Sequence, residues 1–177
     1  MAETISVLIP EDKVEARVRE LGEQISRDYA GREIRLVGIL KGASFFMCEL
    51  AKRITVPVSI DFMQTSSYEG KTESTGTVRI KKDLDESIED KDVIIVEDIV
   101  DSGRTLAFLG KFLESKGARS IRYCTLLDKP ERRVVDLKAD YSGFEIPDQF
   151  VVGYGMDYDQ KYRNLPYIGV VHLDGEN

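Results

Sequence analysis

The 177-residue chain, 42% hydrophobic and 32% charged, is long enough for one well-buried domain and too short for two comfortable ones. A formal net charge of −7 argues against nucleic-acid binding as a main activity, and no run of 18 apolar residues is present to cross a membrane as a helix. The two cysteines, Cys48 and Cys124, have no C-x-x-C spacing and are expected as buried thiols, while a single histidine, His172, excludes a His-rich metal site.

Met1-Ala2-Glu3-Thr4 lacks the basic and apolar stretches of a signal peptide, so a cytoplasmic protein is expected. Residues 11–29 place Val14, Val18, Leu21 and Ile25 at helical spacing, which predicts an amphipathic helix. The apolar run 34–40 ends at Lys41-Gly42 and reads as a strand and turn, followed by a helix over 43–54. A strand is expected over 58–64. The polar stretch 66–76, with two glycines, reads as a mobile loop. Strands over 77–82 and 93–99 flank an acidic segment, 83–92. A helix over 104–116 ends at Gly117, and a strand follows over 120–127. Short later strands are expected at Tyr141, over 150–154 and over 168–173, with His172 a structural residue of the last one.

Alternation of strands and helices predicts an α/β fold with a mostly parallel central sheet covered on both faces. Its core is expected over about 11–142, with a small cap from about 1–10 and 143–177. In such sheets ligands collect at the carboxyl ends of the strands. Lys41, Asp98, Asp101 and Lys129 fall at or just past strand ends and should converge.

The most informative stretch is Val93-Ile-Ile-Val-Glu-Asp-Ile-Val-Asp-Ser-Gly-Arg-Thr-Leu106. Four aliphatic residues in a row describe a strand buried on both faces. Three carboxylates at its end, Glu97, Asp98 and Asp101, are costly there unless they hydrogen-bond, bind a cation or do chemistry. The small-residue turn behind them, opening a helix, is a seat for a phosphate on backbone N–H groups. A sugar phosphate could lie with its hydroxyls on the acids and its phosphate on the amides. The plainer alternative is an Asp101 helix cap, with Glu97 and Asp98 exposed. A P-loop at Gly70-Lys71-Thr72 is excluded because Thr65 stands where that motif needs Gly.

The Glu97–Thr105 string resembles the phosphoribosyl-pyrophosphate (PRPP) signature of the type I phosphoribosyltransferases, and further motifs point to their hypoxanthine-guanine branch. Those are Leu40-Lys-Gly-Ala43, Ser66-Ser-Tyr68 with its polar loop, Lys129 after a strand, and Phe144-Glu-Ile-Pro-Asp-Gln-Phe-Val-Val-Gly-Tyr-Gly-Met-Asp157. The resemblance runs from about Ile5 to Leu173. It implies transfer of a phosphoribosyl group from PRPP to hypoxanthine or guanine, giving IMP or GMP and pyrophosphate, with Mg2+ as cofactor. Glu97, Asp98, Asp101, Ser102, Gly103, Arg104 and Thr105 would hold the ribose and 5′-phosphate, with Asp101 as the base. Lys41, Gly42, Ser67, Tyr68 and Arg163 would hold pyrophosphate, and the bond before Lys41 is often cis in the family. Lys129, Phe150, Val151, Ile99 and Asp157 would bind the purine, and Glu97, Asp98 and Asp157 the metal. Two small departures, Arg104 at the variable fourth position of the phosphate loop and Gly155 before Met156 where larger residues also occur, are expected not to touch the chemistry. A homodimer or homotetramer is implied, with no nucleic acid and no membrane as partners. A PRPP-sensing regulator of the same fold is the rival reading, disfavoured by the acidic charge.

Overall fold

The computed structural model describes residues 3–68 and 77–173, the side chains of Ser67 and Tyr68 excepted. The order of elements is β1 (Glu3–Ile9), α1 (Glu11–Asp28), β2 (Ile34–Leu40), α2 (Ser44–Ala51), β3 (Val58–Tyr68), β4 (Thr77–Lys82), β5 (Asp92–Val100), α3 (Arg104–Ser115), β6 (Ser120–Asp128), β7 (Tyr141–Glu145), β8 (Val151–Val152) and β9 (Ile168–Leu173). Six strands form one sheet in the order β4-β3-β2-β5-β6-β7. All neighbours in it are parallel except the β3–β4 pair. A second, antiparallel sheet joins β1, β9 and β8.

The aliphatic run in β5 is explained by cover on both faces. Ile94 and Val96 pack with Val14, Val18, Leu21 and Ile25 of α1 and with Phe46, Met47 and Leu50 of α2. Val93 and Ile95, pointing the other way, pack with Leu106, Leu109 and Leu113 of α3. Alternate residues of one strand thus serve two separate cores, and no position is left for a polar side chain until Glu97. Gly110 lets α3 lie close on β6, since a Cβ there would stand 1.9 Å from the Tyr123 hydroxyl.

At the opposite end of β5, buried Asp92 accepts from Arg119 Nη2 at 2.8 Å and Ser120 Oγ at 2.6 Å. The Arg119 hydrogen bond outweighs the cost of burial and lowers the Asp92 pKa from 3.8 to about 2. Asp61, 5% exposed, performs a similar task where β4 returns to β5, accepting from the backbone N–H groups of Phe62, Asp85 and Glu86.

Several boundaries differ from expectation. β3 continues to Tyr68, because its last five residues pair with β4, Tyr68 opposite Thr77. Residues 66–68 are therefore strand, and the remainder of the expected loop, with Lys71, lies outside the described residues. α2 stops at Ala51 rather than 54. β7 pairs with β6 as far as Glu145, so the main sheet extends past residue 142. β8 has only two residues, as Gly153 and Tyr154 turn away at positive φ. Cys48 is exposed on α2, whereas Cys124 is buried in β6. His172 sits in β9, 2.7 Å from Ser6 Oγ across the small sheet.

Because the Asp92 pKa is lower in the folded chain than unfolded, its contribution is complete above about pH 4 and is lost as pH falls towards 2. Asp92→Asn is expected to cost about 2 kcal/mol at pH 7. Urea unfolding of both proteins at pH 7 and at pH 2.5 checks this, and the gap should shrink at the lower pH.

Candidate active site at the ends of the central strands

β2, β5 and β6 run parallel and end side by side, and the chain leaves each of them through a residue singled out above. Lys41 follows β2, Asp101 follows β5 and Lys129 follows β6. Two cavities open there. One, about 400 Å³, is lined by Asp98, Ile99, Asp101, Lys129, Arg132, Asp148, Phe150, Val151, Met156 and Asp157. The other, about 180 Å³, is lined by Glu97, Ile99, Val100, Asp101, Ser102, Gly103, Thr105 and Leu106. Ile99 and Asp101 belong to both, so the two are neighbours across the end of β5.

The smaller cavity is the mouth of α3. Gly103 caps this helix at φ 83°, in the left-handed region where glycine is at ease, and no side chain caps it. Asp101 is therefore not the helix cap. Ser102 Oγ accepts from the Arg104 N–H at 3.3 Å, and the turn is braced from outside by Arg133. Arg133 Nε donates to the Asp101 carbonyl at 3.2 Å, and its guanidinium also pairs with Asp128. Val134 N donates to the Ser102 carbonyl at 3.1 Å. The exposed first turn of α3 leaves N–H groups and the positive end of the helix dipole facing the cavity.

Glu97 and Asp98 form the floor. Glu97 is buried, Asp98 is partly exposed, and their carboxyl groups share a hydrogen bond. Burial raises the Glu97 pKa well above 4.5, and the neighbouring Asp98 charge adds to it. Burial also raises that of Asp98, while its hydrogen bonds and the Arg163 charge oppose the rise. Glu97 is thus more readily protonated than an ordinary carboxyl group, and a cation bound beside it would offset the same penalty. Only oxygen donors are on offer, which suits a hard divalent cation; Mg2+ needs one or two carboxylates and takes its remaining ligands from water and substrate. Among the described residues no cluster of three or more His, Cys, Asp or Glu side chains forms a dedicated cage. Such an ion would therefore share its ligands with the substrate.

The turn after β2 closes against this floor. The Leu40–Lys41 bond is cis. A Cβ at position 42 would stand 1.9 Å from Asp98 Oδ2, and one at position 155 would stand 2.2 Å from the Gly42 carbonyl oxygen. Gly42 and Gly155 are thus what allow the turn, the acid and the C-terminal segment to meet. Arg163 Nη1 donates to the Gly155 carbonyl at 2.6 Å, and Nη2 lies 3.2 Å from Asp157 Oδ1. Gln160 Oε1 accepts from Lys41 Nζ at 3.4 Å and from Arg163 Nη2 at 3.1 Å, which ties the two cations together.

In the larger cavity Lys129 is only 8% exposed, not a solvated turn residue. Its ammonium lies 3.8 Å from Asp101 Oδ1 and 3.5 Å from Asp148 Oδ1. Phe150 lines the same cavity, 56% exposed, its ring edge-on to Tyr158 at 5.5 Å. Val151 is buried in β8, and Val171 N donates to the Phe150 carbonyl at 3.0 Å. Met156 lines this cavity too, so the expectation that the departure at Gly155, before Met156, does not touch the site is corrected. Arg132, Arg133, Asp148 and Gln160 are site neighbours that the residue pattern did not mark. The basic run after Lys129 was the available signal for the two arginines; an Asp or Gln among many had none. Ser67 and Tyr68 lie on β3, and their side chains are outside the described residues.

Comparison with known proteins agrees with this geometry. The phosphoribosyl transferase domain family matches residues 9–159. A hypoxanthine-guanine phosphoribosyltransferase of Streptococcus mutans is 51% identical over 95% of this chain and 93% of its own. A crystal structure of a hypoxanthine-guanine phosphoribosyltransferase from Bacillus anthracis superposes with a TM-score of 0.90, at 46% identity, over 97% of this chain and all of that one. A hypoxanthine phosphoribosyltransferase from Staphylococcus aureus, 53% identical over 94% of this chain and 91% of its own, also gives 0.90. The chain belongs to the phosphoribosyltransferase family, in its hypoxanthine-guanine branch.

The raised Glu97 pKa carries a testable sign. The folded chain holds this proton more tightly than the unfolded one, so the pair favours folding at acid pH, and stability falls as pH rises through 4.5 towards neutrality. Without metal at pH 7.5, Glu97→Gln is expected to raise Tm. Thermal scans at pH 5 should show a smaller difference.

Proposed function

We propose that the chain performs purine salvage by transferring the 5-phosphoribosyl group of PRPP to hypoxanthine or guanine, with release of pyrophosphate and formation of IMP or GMP. The observation that carries this reading is the pair of neighbouring cavities at the end of β5, one at a helix N-terminus and the other lined by a buried lysine and an aromatic ring. The smaller fits a phosphate and the larger a flat, 6-oxo base.

In this reading Glu97 and Asp98 orient the ribose hydroxyls, and the N–H groups from Ser102 to Thr105, with the Ser102 and Thr105 hydroxyls and Arg104, hold the 5′-phosphate. Phe150 lies against the purine face, with Ile99 on the other side and the Val151 backbone at its edge. Lys129 donates to the 6-oxo group. Asp101, between the cavities, accepts the proton from the purine nitrogen as that nitrogen attacks the anomeric carbon. Lys41, the Gly42 turn and Arg163 receive the departing pyrophosphate, with Ser67 and Tyr68 closing over it. Mg2+ held by Glu97 and Asp98, with Asp157 beside the base, would supply the positive charge that neutralises pyrophosphate. Glu97 and Asp98 suit it because they are adjacent carboxyl groups whose burial raises both pKa values, a penalty that a bound cation relieves. Asp157 is a weaker ligand candidate, its two oxygens already engaged by Arg163 and the Gln160 N–H. Catalysis is positioning and electrostatics, with no covalent intermediate on a protein side chain. A homodimer or homotetramer in the cytoplasm completes the proposal. Among the described residues no helix is long and apolar enough to cross a membrane.

If Asp101 is the base, Asp101→Asn lowers kcat by about 10²–10⁴-fold with little change in KM for PRPP. Initial rates of IMP formation measure this, and an unchanged kcat would remove the residue from the chemistry. Lys129 sets the choice of base. Its ammonium donates only, which matches a 6-oxo group and leaves a 6-amino group with no acceptor to offer. Hypoxanthine is expected to be used over adenine by about 10³-fold or more in kcat/KM, and Lys129→Gln should narrow that ratio. Equal use of adenine by the unaltered protein would refute the hypoxanthine-guanine assignment.

A further inference from the structure

The larger cavity is lined by four carboxylates and two cations, an unusual surplus of acid around a pocket for an uncharged base. Asp148 is the acid that the proposed reaction does not use. It follows Pro147 in the loop after β7 and shares Lys129 with Asp101: the ammonium is 3.5 Å from Asp148 Oδ1 and 3.8 Å from Asp101 Oδ1. Arg132 holds Asp148 from the solvent side, its Nη1 lying 3.1 Å and 3.3 Å from the two carboxylate oxygens. The hydrogen bonds from Arg132 and Lys129 outweigh desolvation and keep the Asp148 pKa below its ordinary value, so the carboxylate stays charged.

We infer that Asp148 is a positioning and specificity-determining residue, the resident counter-ion that holds Lys129 towards the purine 6-oxo group and leaves Asp101 free to accept the purine proton. The inference rests on the purine-pocket reading of Lys129. A buried ammonium requires a nearby negative charge. If Asp101 alone supplied it, the base would be tied in an ion pair, and its protonation during reaction would strip Lys129 of its partner at the moment the 6-oxo group gains charge. With Asp148 present, Lys129 keeps a fixed partner whatever the state of Asp101. Arg132 anchors that partner, so the loop 146–150 that also carries Phe150 is set by the same contact.

Asp148 is nearly half exposed, so Asp148→Asn is not expected to disturb folding. With the charge gone, Lys129 is drawn onto Asp101. KM for hypoxanthine should rise about tenfold or more, as loss of a charged hydrogen-bond partner implies. KM for PRPP should stay within about twofold, and the hypoxanthine-to-adenine ratio in kcat/KM should fall. Asp148→Glu, which keeps the charge, should recover most of the loss. A merely structural role would move Tm and both KM values together, and would not respond to charge. Lys129→Gln is measured alongside. If that variant alters base choice while Asp148→Asn leaves the hypoxanthine KM and the ratio unchanged, the role of Asp148 is overturned and the pocket reading stands. If Lys129→Gln itself leaves base choice unchanged, both fall.

Discussion

Cover on both faces of the main sheet is the constraint from which the site follows. β5 spends Val93 to Val96 on two cores at once, with α1 and α2 on one side and α3 on the other. Polar side chains can then enter only where the strand leaves the layers, and in a parallel sheet the strands leave together at one edge. Lys41, Asp101 and Lys129 come from three strands that are separate in sequence and adjacent in space for this reason. The close approach of Gly42 to Asp98 and of Gly155 to Gly42 then draws the C-terminal segment over the same edge.

Electrostatics at that edge solves a problem set by composition. A chain of net charge −7 must accept a polyanion. It does so without a broad basic surface. Lys41 and Arg163 are gathered on one amide oxygen, Gln160 Oε1, which accepts from both without neutralising either. The α3 N-terminus supplies partial positive charge through backbone groups. Burial makes Glu97 and Asp98 unfavourable as two adjacent anions and raises both pKa values, and a cation bound between them would relieve that penalty. Acid content and anion binding are compatible in the proposed arrangement, where the acids would face a metal and the base and the amides the phosphate.

Much of this was legible in the residues. The apolar run at 93–96 read as a doubly buried strand, and the plain use open to the acids after it, an Asp101 helix cap, is not the one the fold makes. The four apolar residues of α1 are all buried, as their spacing required. The α3 start was legible as well, although its cap is Gly103 and not the acid two residues earlier. Less legible were features that depend on a distant partner. Residues 66–68 looked like loop because their polarity was visible and their pairing with Thr77 and Val78 was not. Cys48 looked like core because its type is usually buried, whereas its helix face points outward. The small sheet joins strands from the two ends of the described chain, a contact that local pattern cannot carry.

By itself, then, the sequence determined the layers, the strand that carries the acids, the phosphate turn and the family, because each depends on residues close together in the chain. Only the tertiary structure decided which side chains share the pocket. Asp148 reaches Lys129 and Arg132, Gln160 reaches Lys41, and Arg133 reaches the turn before α3 through folding alone. The reason is range. Burial and backbone preference act along the chain over a few residues, whereas these side-chain contacts form only where two segments, from 16 to 119 residues apart, are brought within hydrogen-bonding reach.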